Sequence, residues 1–244
     1  MSALATLNKN LTLRTLRKVP EITVYFWIIK LLSTAMGEAT SDYLVFHINP
    51  YVAVAVGSLG LIVALILQLV ARRYLPWIYW LAIVMVAIFG TMAADVLHVV
   101  MGIPYLDSTV FFAVVLAVVF VAWYVSEKTL SIHSIDMPRR ELFYWAAVMA
   151  TFALGTAAGD MTASTLGLGY LDSGVLFTVL FVVPGLGFWL LGASFADWFG
   201  KPYLGGLGLG DTKVSLVLTV VIVLLVGYVS VTRVDVNPEP ARSS

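Results

Sequence analysis

The chain has no cysteine among its 244 residues, which excludes disulfides, thiolate metal sites and a cysteine nucleophile and leaves its redox compartment unreadable. Charge is scarce as well. Only 11% of the residues are Asp, Glu, Lys or Arg, against about 25% in an ordinary soluble domain. The 14 basic and 14 acidic residues cancel, which argues against nucleic acid as a partner. What replaces charge is hydrocarbon: 61% of the residues are apolar and the mean hydropathy is +0.97. The lipid bilayer is the solvent such a chain fits.

Runs long enough for the roughly 20 residues that span a hydrocarbon core occur at about 22–46, 50–70, 75–101, 108–126, 141–166, 173–199 and 213–232. The fold class predicted is all-α, a polytopic transmembrane bundle of repeated helical hairpins with about seven spans, or eight if 173–199 is two short helices. Residues 1–20 read as a cytoplasmic segment and 233–244 as a polar tail. The first apolar run carries Lys30 and Glu38 rather than a clean signal-peptide core, so it is expected to stay in the mature protein. Lys and Arg favour the cytoplasmic side. Arg14, Arg17 and Lys18, then Arg72 and Arg73, then Lys128, Arg139 and Arg140, then Lys201 and Lys213 fall in alternate loops, whereas the loops near 42–50, 101–107 and 165–172 carry none. The N-terminus is therefore expected to be cytoplasmic. With seven spans the tail faces outside despite Arg233 and Arg242.

Four six-residue boxes recur: 33-STAMGE-38, 90-GTMAAD-95, 155-GTAAGD-160 and 192-GASFAD-197. A shift of 65 residues aligns Trp80 with Trp145, Thr91 with Thr156, Asp95 with Asp160, and 105-YLDS-108 with 170-YLDS-173. The unit is a helical hairpin, repeated over about 21–72, 75–126, 141–172 and 173–232. Glu38 lies 57 residues before Asp95, which makes the first copy more diverged; Asp197 follows Asp160 by only 37. A single helix over 173–199 points its box opposite to the other three. The break 184-PGLG-187 allows two half-helices instead.

The segments 25-YFWIIKLLSTAMGEATSDYL-44, 89-FGTMAADVLH-98, 143-FYWAAVMATFALGTAAGD-160 and 191-LGASFADWFGKP-202 resemble a family of bacterial membrane proteins built from four tandem copies of a two-helix repeat of unknown function. The resemblance implies eight spans and an inner-membrane location; it implies no activity.

Box positions one and five are small in every copy, the spacing that lets two membrane helices meet backbone to backbone. Positions two and six are Thr34/Glu38, Thr91/Asp95, Thr156/Asp160 and Ala193/Asp197, one turn apart on a neighbouring strip. In the first copy that strip runs through Lys30, Thr34, Glu38 and Asp42; in the second, His98 follows Asp95. Four membrane acids at full depth would cost roughly 10–14 kcal/mol on insertion scales, so they are not unpaired ions in lipid. The cations at hand are Lys30 and His98, which leaves the cluster short of positive charge. Protons, a metal ion or a cationic substrate must supply the difference.

Each feature has a bland reading beside this one. The acids could be carboxylates hydrogen-bonded to Thr across helix contacts, and Lys30 could snorkel to the surface instead of facing Asp95, Asp160 or Asp197. Asp95 and His98 could ligate a divalent metal or lie at an interface. Asp107 and Asp172, with Ser108 and Ser173, read as helix N-caps. Ser194, with His98 as base, has the outline of a serine nucleophile but is more simply a small filler. The string 205-GGLGLGD-211 reads as a flexible cytoplasmic loop, and Trp27, Trp80 and Trp145 as an aromatic belt. The reading that best joins the acids is transport or permeation of a cation, proton-coupled or divalent, through Lys30, Thr34, Glu38, Asp42, Thr91, Asp95, His98, Thr156, Asp160 and Asp197. The identity of any metal or cofactor stays open at this stage. Its rivals are a non-transporting scaffold or homo-oligomer subunit and, third, a membrane-embedded enzyme. Any primary pumping would need an ATP-binding partner.

Overall fold

The computed structural model describes residues 18–131, 135, 137–182 and 188–235; Arg14, Arg17, the break at 184–187 and Arg242 lie outside them. Among the described residues the chain is eight α-helices: α1 (Val24–His47), α2 (Pro50–Val70), α3 (Pro76–Asp95), α4 (Tyr105–Glu127), α5 (Pro138–Asp160), α6 (Gly169–Val182), α7 (Phe188–Gly200) and α8 (Asp211–Thr232). Local chemistry fixes several starts. Thr23 Oγ1 accepts from the Phe26 N–H ahead of α1, and Asn49 Oδ1 accepts from the Tyr51 N–H ahead of α2. Pro opens α2, α3 and α5, where its fixed φ suits the first turn and its missing N–H costs nothing.

The segment 173–199 is thus two helices rather than one. The Tyr170 N–H donates to the Leu204 carbonyl at 3.1 Å, so the start of α6 and the end of α7 share one end of the bundle and the pair is antiparallel. That restores the fourth hairpin and points its box the same way as the others. It also brings the first and last described segments together. The Glu21 N–H donates to the Asp235 carbonyl at 2.9 Å, and Tyr74 in the α2–α3 connection donates to the Asp235 carboxylate. Glu21 and Asp235 thus lie at one end of the bundle, the terminal end, and the boxes lie toward the other, the acid end. The tail's Arg233 therefore shares an end with Arg72 and Arg73, while Lys201 and Lys213 lie opposite them. The glycine-rich stretch 205–211 is correspondingly at the acid end. It is tied down, since the N–H groups of Leu207, Gly208, Leu209 and Gly210 donate to the carbonyls of Trp198, Lys201, Phe199 and Gly200, closing the carboxyl end of α7.

The box helices α1, α3, α5 and α7 pack in a ring, and each second helix lies outside it against the next copy's box helix: α2 on α3, α4 on α5, α6 on α7, and α8 back on α1. Burial follows this division. Over an apolar 18-residue stretch of each, Pro76–His98 and Pro138–Thr165 are 61% and 50% buried, whereas Pro50–Val70, Tyr105–Glu127 and Asp211–Thr232 are 28%, 17% and 22% buried. Outward Val, Leu and Ile such as Leu59, Val118 and Leu224 are what a lipid-facing helix presents. These five segments are long and apolar enough to cross a membrane, and the chain is a multi-pass membrane protein. The described parts of α6 and α7 are 14 and 13 residues long.

Equivalent residues of adjacent copies touch. The Tyr79 and Tyr144 hydroxyls lie 2.7 Å apart and the Thr91 and Thr156 hydroxyls 3.0 Å apart, each pair separated by 65 residues. The same offset governs the helix ends. A π-helical turn follows Asp95 (Val96–Val100) and another follows Asp160 (Met161–Thr165), each closed by a glycine of positive φ, 66° at Gly102 and 70° at Gly167. Trp80 and Trp145 are not an aromatic belt. They are 2% and 3% exposed, and with Ile29, Tyr79 and Ile83 they fill the ring toward the terminal end.

The small box positions are where helices meet. A Cβ on Gly37 would stand 2.4 Å from the Ala87 Cβ, one on Gly90 2.7 Å from the Phe152 Cβ, and one on Gly192 2.7 Å from the Thr34 Cβ; on Gly159 the nearest atom is Ser194 Oγ at 3.8 Å. Gly37→Ala is expected to lower stability by about 1–3 kcal/mol through overpacking. Gly159→Ala is expected to be neutral or stabilising, since Ala suits a helix better by up to about 1 kcal/mol. Thermal melting in detergent checks both, and equal melting of Gly37→Ala and wild type would remove the packing role of the box.

Candidate functional site

The polar strip of α1 faces the other three box helices and organises the acid end. Glu38, 2% exposed, receives two hydroxyls at Oε2, from Thr91 on α3 at 3.0 Å and Thr156 on α5 at 2.9 Å. One turn on, Ser41 donates to Asp95 Oδ2 at 2.8 Å. Asp42 Oδ2 and Asp197 Oδ1 lie 3.0 Å and 2.8 Å from the ammonium of Lys201, which also sits 5.3 Å from the centre of the Tyr170 ring. Carboxylate oxygens of Glu38, Asp42 and Asp197 all fall within 4.8 Å of one another. Asp160 is buried beside them and interacts electrostatically with Lys201 and Asp42. The four box acids and Asp42 therefore converge on one region.

Three sequence expectations change. Lys30 is half-buried with its Nζ 4.6 Å from the centre of the Phe152 ring. Two turns of α1 separate it from Glu38, and among the described residues it forms no ion pair; the counter-ion of the acids is Lys201. Thr34 does not face them either. Its hydroxyl donates to the Lys30 carbonyl at 2.9 Å, and its Cβ packs on Gly192. His98 is turned away from a shared metal site with Asp95, because Nδ1 lies 2.7 Å from the Ile103 carbonyl and Nε2 3.0 Å from Ser108 Oγ. With both nitrogens so engaged, His98 is no base for Ser194. The π-turn after Asp95 is the reason, since its wider winding shifts His98 out of phase with the α-helical strip.

Ser108 is likewise no N-cap. Pro104 precedes α4, no side chain caps it, and Asp107 falls inside the first turn, as Asp172 does in α6, where a carboxylate suits the helix dipole. Ser173, the repeat equivalent of Ser108, has no hydrogen-bond partner for its hydroxyl among the described residues; the position equivalent to His98 is Ala163.

The family described as "Repeat of Unknown Function (DUF347)" matches residues 25–74, 78–129 and 143–190, more than half of the chain. The chain belongs to this repeat family. The first two DUF347 matches each take in one hairpin, α1–α2 and α3–α4, and the third takes in α5 and α6. The matched residues stop before the fourth box, and it is the fold that places α7 and α8 as a fourth hairpin closing the ring. No curated protein and no solved structure matches the chain.

Lys201 is the site residue that the sequence reading placed elsewhere. One signal pointed to it: Asp197 and Lys201 are four apart, with the acid on the N-terminal side, the favourable order for a helical ion pair.

Proposed function

We propose that this protein carries a cation across the bacterial inner membrane, with its N-terminus cytoplasmic, through a site made by the DUF347 box acids. The observation that supports this is the convergence of Glu38, Asp42, Asp95, Asp160 and Asp197, all at most 9% exposed, around the single ammonium of Lys201. Carboxylates that only tied helices together would be dispersed, each on its own hydroxyl. Among the described residues, only Glu38 and Asp95 of these acids receive side-chain hydroxyls, and the charge of five acids exceeds that of one lysine. Uncompensated buried charge is strongly destabilising, so protons or a bound cation complete the site. The packed aromatic core below it closes the ring toward the terminal end, and the site belongs to a state reached from the acid end.

Reconstitution tests this reading. Liposomes carrying the protein, loaded with a proton indicator or a Mn2+-quenched dye, are expected to show cation flux above protein-free liposomes. Equal rates for both ions with and without protein would overturn the proposal.

A further inference from the structure

Lys201 has a second environment within reach. An open pocket of about 500 Å³ at the acid end is lined by Phe46, His47, Lys201, Tyr203, Asp211 and Thr212 among others. Lys201 belongs to its wall, yet its ammonium lies on Asp42 and Asp197. One side chain thus stands between the pocket and the acids. Deeper along α7, Ser194 is 2% exposed and its hydroxyl has no hydrogen-bond partner among the described residues. Ser194 precedes Asp197 by about one turn of α7, and its Oγ lies 3.8 Å from where a Cβ on Gly159, the neighbour of Asp160, would stand. Among the described residues it is a buried hydroxyl without a partner, on the same helix as Asp197.

The donors are all hard. Glu38, Asp42 and Asp197 offer oxygens no more than 4.8 Å apart, a spacing that an ion bound at about 2.3–2.6 Å can bridge even for ligands on opposite sides. Imidazole is absent from the set and thiolate from the chain, so softer metals have no preferred ligand here. A lysine ammonium brings one positive charge to this cluster, and a divalent ion brings two.

We propose that Lys201 is a tethered stand-in for the transported ion, and that a hard divalent cation arriving through the pocket displaces its ammonium from Asp42 and Asp197. The proposal rests on the cation-transport reading and adds the ion class and the means of exchange. Asp211 provides the receiving partner. Its carboxylate lies against Gly200, 2.4 Å from where a Cβ there would stand, so the released ammonium swings from two carboxylates inside to one in the pocket wall. Charge stays compensated throughout the exchange.

Reductive methylation of the wild-type protein in detergent, read residue by residue by mass spectrometry, follows the displacement directly. Millimolar Mn2+ is expected to raise labelling of Lys201 at least tenfold over Na+ at equal ionic strength, with exposed Lys213 as the unchanged control. In parallel, Lys201→Gln is expected to lower the half-saturating Mn2+ concentration at least tenfold; if that variant does not fold, wild-type labelling decides alone. Mn2+ binding or flux by wild type with Lys201 labelling unchanged would overturn the exchange while leaving cation transport standing. Absence of both binding and flux in wild type would remove the transport reading and this inference with it.

Discussion

Glu38→Gln is expected to fold and melt like wild type and to lose cation flux by about a thousandfold. The amide keeps an oxygen where Thr91 and Thr156 donate at 3.0 and 2.9 Å, and its nitrogen faces the carboxylates of Asp42 and Asp197, which lie within 4.8 Å. Hydrogen bonding is therefore preserved and even extended. What disappears is one negative charge about 4 Å or less from the ion. At an effective dielectric near 20 that is worth about 4 kcal/mol for each unit of charge on the ion, or at least roughly three decades in affinity. Glu38→Leu separates the alternatives further, since it also removes the acceptor for two buried hydroxyls and should lower stability as well as flux. If Glu38→Gln retains wild-type flux in liposomes that the wild type does permeate, Glu38 is a packing residue and nothing more.

The second large effect is expected at the opposite end. Glu141, 1% exposed, receives the Lys18 ammonium at 2.7 Å and the Gln68 amide at 3.0 Å, and Lys18 also donates to the Leu69 carbonyl at 2.9 Å. This knot ties the N-terminal segment and α2 to α5. Removing one partner of a buried pair strands the other, a loss of about 3–5 kcal/mol, so Glu141→Ala should be among the least stable single variants of the chain. The double variant Lys18→Met/Glu141→Leu removes both charges and should recover most of that loss. Melting in detergent distinguishes the cases; a Glu141→Ala variant as stable as wild type would show that the knot is not structural.

Much of this architecture was legible in the chain because the bilayer makes it so. Spans are read from length and hydropathy, and the 65-residue offset announced the hairpin repeat; the contact of Thr91 with Thr156 is not contained in that alignment, which shows equivalence and not proximity. The box acids were legible for the same reason: a carboxylate stands out in hydrocarbon. Direction was harder. The largely apolar stretch of 27 residues at 173–199 is long enough for one span, and reading it so inverts everything after it. That one inversion moved Lys201 from the site to the far end, where it resembled an ordinary topology signal. His98 was misplaced for a local reason, because i to i+3 stacking assumes α-helical phase and the π-turn changes it. Trp80 and Trp145 were misplaced because hydropathy cannot distinguish a side chain packed on protein from one packed at the edge of lipid. Lys18 and Glu141, 123 residues apart, carry no spacing by which a pair could be recognised.

The central claim is that the box acids of four repeats make one shared cation site. Calorimetric titration of the purified protein with Mn2+ measures this most directly, because sites are counted as well as weighed. One site per chain is expected in the wild type, and Glu38→Gln, Asp95→Asn and Asp197→Asn should each weaken that same site while their melting stays near wild type. No saturable Mn2+ binding by the folded wild type, or a wild-type affinity retained in all three amide variants, would contradict it.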